Sequence, residues 1–590
     1  MLFSGFARRI TSRTKTPTLR YQPHLHPAYS TRAEYKNKMS TGFEAERARI
    51  TELAEAIKQL KTDGKPCDVE LKEMLDLKKK VGQSTGKKDS GKGKIQLKTP
   101  KGTLDHGPSA TLLRKQIFNT LENIFLKHGA STIDTPVFEL KDILAGKYGE
   151  DSKLIYDLQD QGGELCSLRY DLTVPFARYL AMNSQPSMKR YHIGKVYRRD
   201  QPVMSKGRMR EFYQCDFDIA GAYDAMVPDA EVLYIACEAL TALDIGEFTI
   251  KLNHRKILDG IFELAGVPAD KTRAISSAVD KLDKAPWTEV RKEMTVDKGL
   301  DGVIADEIGE YVGLKGKGWE VLEKLKSDDK LTAVKSAKEG LADMELLFGY
   351  LDVMGVLDKM SFDMSLARGL DYYTGIIYEA IHQSSAPPGF KTQPAVPAEA
   401  SSSAPAPSKP KKAGEEDEVD ESTVGVGSIA AGGRYDELVG MFSEAAGGKK
   451  GAGKVPCVGI SVGVERVYSI LLQKRKEREE REARGKETEV YIVSMGGNGL
   501  LKERMALAKD LWDGGIKAEF MYKNKPKPNA QLDACDRDQT PFTVILGPSE
   551  VETGTAKVRR QLGKEGGTTE GETVQRSELV EFLKRKLAEL

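Results

Sequence analysis

The spacing of hydrophobic positions changes several times along this 590-residue chain, and each change predicts a different element. Two stretches with apolar residues at helical spacing, separated by TDGKP, predict a helical hairpin over residues 43–82. An apolar stripe predicts a long helix over residues 109–128, and the segment STIDTPVFEL after it predicts a strand interrupted at Pro136. The residues of that stripe are Leu113, Ile117, Leu121 and Ile124.

Four later stretches also differ from one another in their pattern of hydrophobic and polar residues. Residues 253–360 are charged and predict a helical insertion, whereas residues 455–472 run from a small-residue strand into a helix. Strand and helix patterns alternate over residues 487–590, which predicts a small α/β domain around a mixed or parallel sheet. Residues 384–423 are rich in Pro, Ala, Ser and blocks of like charge, so we expect a disordered surface loop there.

Residues 190–221 predict a long β-hairpin. The stretches 191–197 and 212–219 are rich in β-branched and aromatic residues, and the loop between them contains Pro202 and Gly207. Because successive side chains of a strand point to opposite faces, the second stretch divides into an apolar face and a face toward a cleft or water. The apolar face consists of Tyr213, Cys215, Phe217 and Ile219, and the other of Phe212, Gln214, Asp216 and Asp218.

Arginines crowd this predicted hairpin, and they are its candidate chemistry. A guanidinium group presents a rigid fork of donors that matches the geometry of phosphate. A solvated, charged hairpin face is the competing interpretation, because charge runs usually lie at the surface. The arginines concerned are Arg190, Arg198, Arg199, Arg208 and Arg210.

Composition narrows the class of protein. A hydrophobic fraction of 39% supports large cores, and the formal net charge of +2 means that any nucleic-acid surface must be local. Six cysteines are scattered without a CxxC pair, which argues against a zinc site or a disulfide framework and for a reducing compartment. No apolar run is long enough to cross a bilayer, so we expect a soluble protein with no membrane partner.

Residues 1–38 carry eight lysines and arginines against a single acid, Glu34. An acid-poor segment rich in arginine, serine and threonine is typical of a mitochondrial transit peptide, and a basic disordered tail is the alternative. The composition changes at Met39, so we hypothesise a mitochondrial form that starts at Met1 and a cytosolic form that starts at Met39.

Several distant segments carry a resemblance to one family. VYRRD, with REFYQCDFD after a loop, resembles motif 2 of class II aminoacyl-tRNA synthetases in the form found in histidyl-tRNA synthetases. RGLDYYTG resembles the first motif specific to that family, and residues 425–442 resemble the second. Residues 455–472 resemble motif 3, and the helix and strand around Pro136 resemble motif 1, which builds the dimer interface of the class.

The resemblance extends from about residue 43 to the C-terminus and implies an α+β fold. It implies a catalytic domain with an antiparallel sheet over residues 100–480, with 253–360 as its helical insertion, and an α/β anticodon-binding domain over 487–590. Residues 43–98 resemble a WHEP helical hairpin with a basic linker, for which a coiled-coil hairpin for protein contacts is the alternative. A regulatory α/β domain is the alternative for the C-terminal part.

The resemblance also implies the site residues. Arg198 and Arg368 are the catalytic residues, and Arg198 and Arg466 bind ATP. The residues that bind histidine are Asp171, Thr173, Gln214, Asp218, Arg368, Tyr372 and Tyr373. Taken as residues alone, Asp171 or Thr173 can cap the following helix, Arg368 can pair with Asp371, and the tyrosines can be core aromatics.

The reaction implied is the activation of L-histidine by ATP to histidyl-adenylate, followed by transfer to tRNA(His) with release of AMP and pyrophosphate. Mg²⁺ is expected with ATP, without a confident metal ligand from the protein and without zinc. A homodimer in the mitochondrial matrix and the cytoplasm is expected. A synthetase-like module without catalysis and a class II enzyme of another specificity are the rival interpretations, and the presence of Arg198, Arg466 and RGLDYYTG disfavours both.

Overall fold

The computed structural model describes residues 44–62, 69–70, 72–74, 76–77, 97–159, 162–283, 285–367, 372–382, 427–449, 453–477, 484–561 and 570–590. Arg368, the segment 1–38 and the predicted loop 384–423 therefore lie outside the described residues. The chain forms two compact units, Met1–Lys98 and Thr99–Leu590.

The first unit contains helix α1 (Glu44–Thr62), whose Leu53 and Ile57 are buried as the helical spacing predicts. Residues 69–70, 72–74 and 76–77 are also helical. The Nε of Arg49 donates a hydrogen bond to Oε1 of Glu73 at 3.1 Å, which joins the two helical stretches. Because both side chains are exposed, this pair contributes little to stability.

The second unit is built around a nine-stranded sheet with the order β1-β4-β5-β11-β10-β9-β6-β8-β7. All neighbouring pairs are antiparallel except β1 with β4 and β6 with β8. A separate two-stranded sheet pairs β2 with β3. The strands are β1 (Ser131–Thr132), β2 (Phe138–Leu140), β3 (Cys166–Leu168), β4 (Met188–Tyr197), β5 (Glu211–Ala220), β6 (Phe248–His254), β7 (Lys315–Gly316), β8 (Met360–Asp363), β9 (Ile376–His382), β10 (Ala430–Arg434) and β11 (Cys457–Gly463).

Helices surround this sheet and form the insertion. They are α2 (Pro108–Lys127), α3 (Lys141–Leu144), α4 (Thr173–Met182), α5 (Val227–Ala242), α6 (Arg255–Leu264), α7 (Thr272–Val279), α8 (Trp287–Lys292), α9 (Gly302–Val312), α10 (Gly318–Lys326), α11 (Asp329–Ala333), α12 (Lys335–Val353), α13 (Leu438–Ala445) and α14 (Val464–Glu477). The predicted stripe of α2 is buried along its whole length. The predicted helical insertion corresponds to α6 through α12, with the short strand β7 inside it.

The two faces of the large sheet differ in chemistry. Phe217 of β5 and Ile460 of β11 belong to the apolar core that also contains residues of α2 and α5, and the Phe125 and Phe217 rings lie 5.5 Å apart. On the other face, the register places Ser461, Asp216 and His192 side by side across three strands. The predicted division of the second hairpin strand into an apolar and a polar face is therefore confirmed.

The C-terminal part forms a five-stranded mixed sheet with the order β13-β12-β14-β15-β16. Its strands are β12 (Val490–Ser494), β13 (Ala518–Phe520), β14 (Phe542–Leu546), β15 (Thr555–Arg560) and β16 (Glu572–Gln575). Its helices are α15 (Leu501–Asp513), α16 (Pro528–Arg537), α17 (Pro548–Thr553) and α18 (Leu579–Ala588). Among the described helices, none is both long and apolar enough to span a membrane.

Candidate active site

Asp171 lies in the turn that leads into α4, and its carboxylate is almost fully enclosed. The hydroxyl of Tyr148 and the backbone N–H of Val174 both donate to Oδ1 at 3.0 Å, and the hydroxyl of Tyr372 donates to Oδ2 at 3.2 Å. Burial raises the pKa of Asp171, and these donors together with the nearby charge of Arg198 oppose the rise. Asp171 thus caps the helix and also faces the site.

Thr173 is the first residue of α4, so it does not continue an extended strand from Asp171. The chain turns into a helix at Leu172, so the side chains of Asp171 and Thr173 do not lie on one strand face. Thr173 remains partly exposed next to the buried Asp171.

Asp218 lies on β5 directly opposite Arg190 of β4. The two side chains form an ion pair with Nη2 and Oδ2 at 2.7 Å, and the hydroxyl of Tyr435 donates to Oδ1 of Asp218. Burial raises the pKa of Asp218, Arg190 and Tyr435 oppose the rise, and the charge of Asp171 adds to it. The carboxylates of Asp171 and Asp218 therefore act on each other although 47 residues separate them along the chain.

Asp216 is the second buried acid on this face of β5, and Arg190 lies 3.7 Å from its Oδ2. Burial raises the pKa of Asp216 to about 7, with a further rise from Asp218 and an opposing effect of Arg190. Gln214, two residues earlier, donates to Oγ of Ser461 at 2.7 Å, while its buried Oε1 has no hydrogen-bond partner among the described residues. This amide oxygen is available to a donor in the pocket.

Tyr372 and Tyr373 contribute an aromatic wall. Their rings lie 5.0 Å apart, and Tyr372 also meets the ring of Tyr435 edge-on at 6.0 Å. A Cβ at Gly433 would lie 2.8 Å from Tyr373, and one at Gly432 would lie 2.0 Å from the carbonyl oxygen of Gly459. The two glycines lie within β10 rather than in a tight turn, and close packing between strands explains them.

Arg198 follows the last residue of β4 and belongs to the same cluster. Its Nε donates to the carbonyl oxygen of Tyr170 at 3.1 Å, and its guanidinium lies 4.2 Å from the Tyr170 ring centroid and 5.2 Å from that of Phe212. Its charge opposes the rise in the pKa values of Asp171 and Tyr148. Among the described residues, no carboxylate forms an ion pair with Arg198, so its planar cation, packed against two rings, can bind an anion.

Arg466 lies in the first turn of α14, next to the loop of the hairpin. Its Nη1 donates to the carbonyl oxygen of Ser428. Gly207 of that loop has a φ of +69°, and a Cβ there would lie 2.4 Å from the carbonyl oxygen of Glu465. Gly463, at the end of β11, pairs with Gln214 near the start of β5. Arg198 and Arg466 therefore lie at the same end of the sheet.

A buried ion pair anchors α14 at this position. Nη2 of Arg114, on α2, lies 2.7 Å from Oε1 of Glu465, and the backbone N–H of Tyr213 donates to Oε2 at 2.9 Å. The Arg114 guanidinium also lies 5.0 Å from the Tyr213 ring centroid.

Arg208, another arginine of the hairpin, forms a contact within the hairpin loop: its Nε donates to Oδ2 of Asp200 at 2.9 Å.

The structure thus brings together Asp171, Gln214, Asp218, Tyr372 and Arg198, with Thr173 and Tyr373 beside them and Arg466 at the same end of the sheet. Arg368 lies outside the described residues. Four further contributors are not among the predicted site residues. Two of them, Arg190 and Asp216, were already placed on the predicted hairpin, as a candidate cation and as a residue of its polar face. The other two are Tyr148 and Tyr435, which no sequence pattern distinguishes from core aromatics.

Both large parts of the chain are similar to known proteins. Residues 102–388 match the family model described as histidyl-tRNA synthetase, and residues 489–586 match that described as anticodon binding domain. The chain is 53% identical over 504 residues to the mitochondrial histidine–tRNA ligase of Saccharomyces cerevisiae, covering 85% of this chain and 88% of that protein. It is 52% identical over 488 residues to the cytoplasmic histidine–tRNA ligase of Dictyostelium discoideum, covering 82% of this chain and 92% of that protein.

Among solved structures, the histidyl-tRNA synthetase of Nostoc is similar with a TM-score of 0.63 and 26% identity, covering 84% of this chain and 100% of that one. The family model for the catalytic part includes the hairpin, the acid pair of β5 and Tyr372. The relatives match across most of their own length, so the likeness is not confined to one domain. The chain belongs to the histidyl-tRNA synthetase family.

Proposed function

We propose that the pocket between the start of α4 and the polar face of β5 binds histidine and presents its carboxylate to ATP beside Arg198. The enzyme attaches histidine to tRNA(His) for protein synthesis, the activity of its family. The observation that supports this location is that one guanidinium links the segments of two buried acids: Nη2 of Arg190 lies 2.7 Å from Oδ2 of Asp218 and donates to the carbonyl oxygen of Leu172, next to Asp171.

Histidine offers an ammonium group and an imidazole ring for recognition. Asp171 and Oε1 of Gln214 accept hydrogen bonds from the ammonium group, and the negative charge of Asp171 attracts it. Neutral imidazole has one donor and one acceptor, and Asp218 accepts from the ring N–H. Thr173, Tyr372 and Tyr373 complete the pocket around the substrate.

In the first step, a carboxylate oxygen of histidine attacks the α-phosphorus of ATP, the bond to the bridging oxygen breaks and pyrophosphate leaves. Negative charge develops on the phosphate oxygens, and Arg198 stabilises it while Arg368 acts from the opposite side. Arg466 stacks on the adenine. The ribose hydroxyl at the 3′ end of the tRNA then attacks the carbonyl carbon of the adenylate, and AMP leaves.

Class II synthetases use ATP with Mg²⁺. No group of three or more His, Cys, Asp or Glu side chains in the described part of the chain is arranged to hold a metal ion. Mg²⁺ bound to the phosphates of ATP would offset part of their charge.

The homodimer forms through the face that carries β2 and β3. Exposed apolar side chains gather there, and an apolar patch of this kind marks a protein interface. They are Val137, Phe138, Leu140, Leu158 and Leu165, exposed by 38% to 57%. We expect Phe138→Asp to convert the dimer to a monomer in sedimentation, and a variant that stays dimeric would contradict this interface.

The C-terminal domain and the N-terminal hairpin serve tRNA binding. The basic residues of the C-terminal domain, with Lys523, Lys525 and Lys527 exposed, contact the anticodon stem. Residues 43–98 act as a WHEP-like appendage.

The protein is made in two forms. The form that starts at Met1 enters the mitochondrial matrix, and the form that starts at Met39 remains in the cytoplasm. If a gene with the Met39→Ala change still yields the cytosolic form, this proposal is contradicted.

Arg198→Ala tests the assignment of the site. We expect it to abolish histidine-dependent ATP–pyrophosphate exchange, which reports adenylate formation without tRNA. Arg199→Ala is the matched control, because Arg199 is the adjacent arginine and is exposed. Near-normal exchange in Arg198→Ala would contradict the placement of the active site beside Arg198.

A further inference from the structure

Arg190 is a fully buried arginine whose contacts lie behind the proposed histidine pocket. Its guanidinium lies 4.5 Å from the ring centroid of Phe176, in α4, and its Nη2 lies 2.7 Å from Oδ2 of Asp218. A buried charge is strongly unfavourable unless it is paired, so this cation requires the acids that face it.

The same nitrogen of Arg190 also reaches the other side of the pocket. Nη2 donates to the carbonyl oxygen of Leu172 at 3.1 Å. Leu172 lies between Asp171 and Thr173 and precedes the first residue of α4. One guanidinium therefore joins the strand that carries Asp218 to the turn that carries Asp171, and it sets the spacing between the two acids.

Arg190 is also the counter-charge for both acids of β5. Asp216 and Asp218 are each at most 2% exposed, and Arg190 lowers the pKa of both against the effect of burial. The Asp218 carboxylate packs closely against Gly459 of the adjacent strand, where a Cβ would lie only 1.9 Å from Oδ1 of Asp218. Without Arg190, Asp218 would lose its charge partner, and only the hydrogen bond from Tyr435 would remain to hold its orientation.

We propose that Arg190 is a positioning residue for histidine: it does not touch the substrate but holds Asp218 and the Asp171 turn in the geometry that binds it. This inference rests on the proposed function of the pocket. Because Arg190 acts on the histidine side and not on the phosphate side, its loss affects affinity for histidine more than affinity for ATP.

Arg190→Met and Arg190→Lys test the role through ATP–pyrophosphate exchange with each substrate varied. For Arg190→Met we expect KM for histidine to rise by at least about tenfold, with KM for ATP changed by less than about twofold. Lysine keeps the charge but lacks the planar fork, so Arg190→Lys should recover part of the loss. Arg504→Met is the control, because Arg504 is equally buried but binds backbone carbonyl groups in the C-terminal domain.

An unchanged KM for histidine in folded Arg190→Met, or an equal rise in both KM values, would overturn the proposal. If Arg190→Met does not fold, Arg190→Lys decides by the same comparison of the two substrates. If Arg504→Met also raised KM for histidine but not KM for ATP, the proposal would be overturned, because the loss of any buried arginine would then have this effect. Failure of the proposed function itself is distinguishable, since Arg198→Ala would then retain exchange whatever the outcome at Arg190.

Discussion

At the scale of single residues, the site is defined by acids that are buried and close to one another. Asp171, Asp216 and Asp218 share two nearby cations, Arg190 and Arg198. Under the proposed function, the ammonium group of histidine offsets part of this negative charge, and Arg198 faces the anionic phosphate of ATP.

Asp216 makes stability depend on pH. Its pKa is raised from 3.8 to about 7 in the folded protein, so between these values the folded chain holds a proton that the unfolded chain releases. Its contribution to stability is therefore present at low pH and is lost as pH rises toward 7. We expect Asp216→Asn to gain about 2 kcal/mol relative to the wild type between pH 5 and pH 8.

Urea unfolding at the two pH values measures this difference. Asp224→Asn, which changes an exposed aspartate, should differ from the wild type by the same amount at both. A pH-independent difference for Asp216→Asn would mean that Asp216 is ionised throughout.

At the scale of elements, a buried ion pair joins α2 and α14 at the end of the sheet where Arg466 lies. Neighbouring residues of α2 make two contrasting ion pairs. Arg114 meets Glu465 in the interior, whereas Lys115 meets Glu487 at 3.3 Å on the surface. The same helix thus offers an internal comparison of a buried pair with an exposed one.

Glu465→Gln should destabilise the protein by about 3 to 5 kcal/mol, because Arg114 is left buried without a counter-charge. Glu487→Gln is the matched control and should change stability far less, because both side chains of the Lys115–Glu487 pair are exposed to water. Thermal unfolding of both variants measures the contrast. Equal small losses would show that water reaches Arg114 and that the pair does not anchor α14.

At the scale of the whole molecule, the large sheet brings distant segments together. Ala380 near the end of β9 pairs with Ala430 at the start of β10, and the backbone N–H of Ile429 donates to the carbonyl oxygen of Ala380 at 2.9 Å. The segment 384–423 therefore connects two adjacent antiparallel strands, a connection that a short loop can also make.

Replacing residues 384–423 with a short Gly-Ser linker should leave the rate of ATP–pyrophosphate exchange within about twofold of the wild type, because the cost of closing a loop changes slowly with its length. Exchange kinetics with purified protein measures this. A large loss of rate would show that the segment takes part in the reaction.

Much of the fold followed from local pattern. Helix α2 and the strands β4 and β5 begin and end close to where periodicity placed them, because burial on one side leaves a repeat of 3.6 or 2 residues in the sequence. The predicted strand and helix of residues 455–472 correspond to β11 and α14, although α14 continues to Glu477. The C-terminal strands β15 and β16 were not predicted individually. The sequence of β15, TAKVRR, contains only two apolar residues, and β16 is a four-residue edge strand, so neither shows a clear repeat.

The sequence by itself determined the family, the hairpin and the faces of its strands, because these depend on residues near one another in the chain. Only the tertiary structure decided that Arg190 lies opposite Asp218, that Leu172 accepts from the same guanidinium, and that Arg114 meets Glu465 across 351 residues. Such contacts depend on strand register and helix packing between distant segments, and neither leaves a local pattern in the sequence.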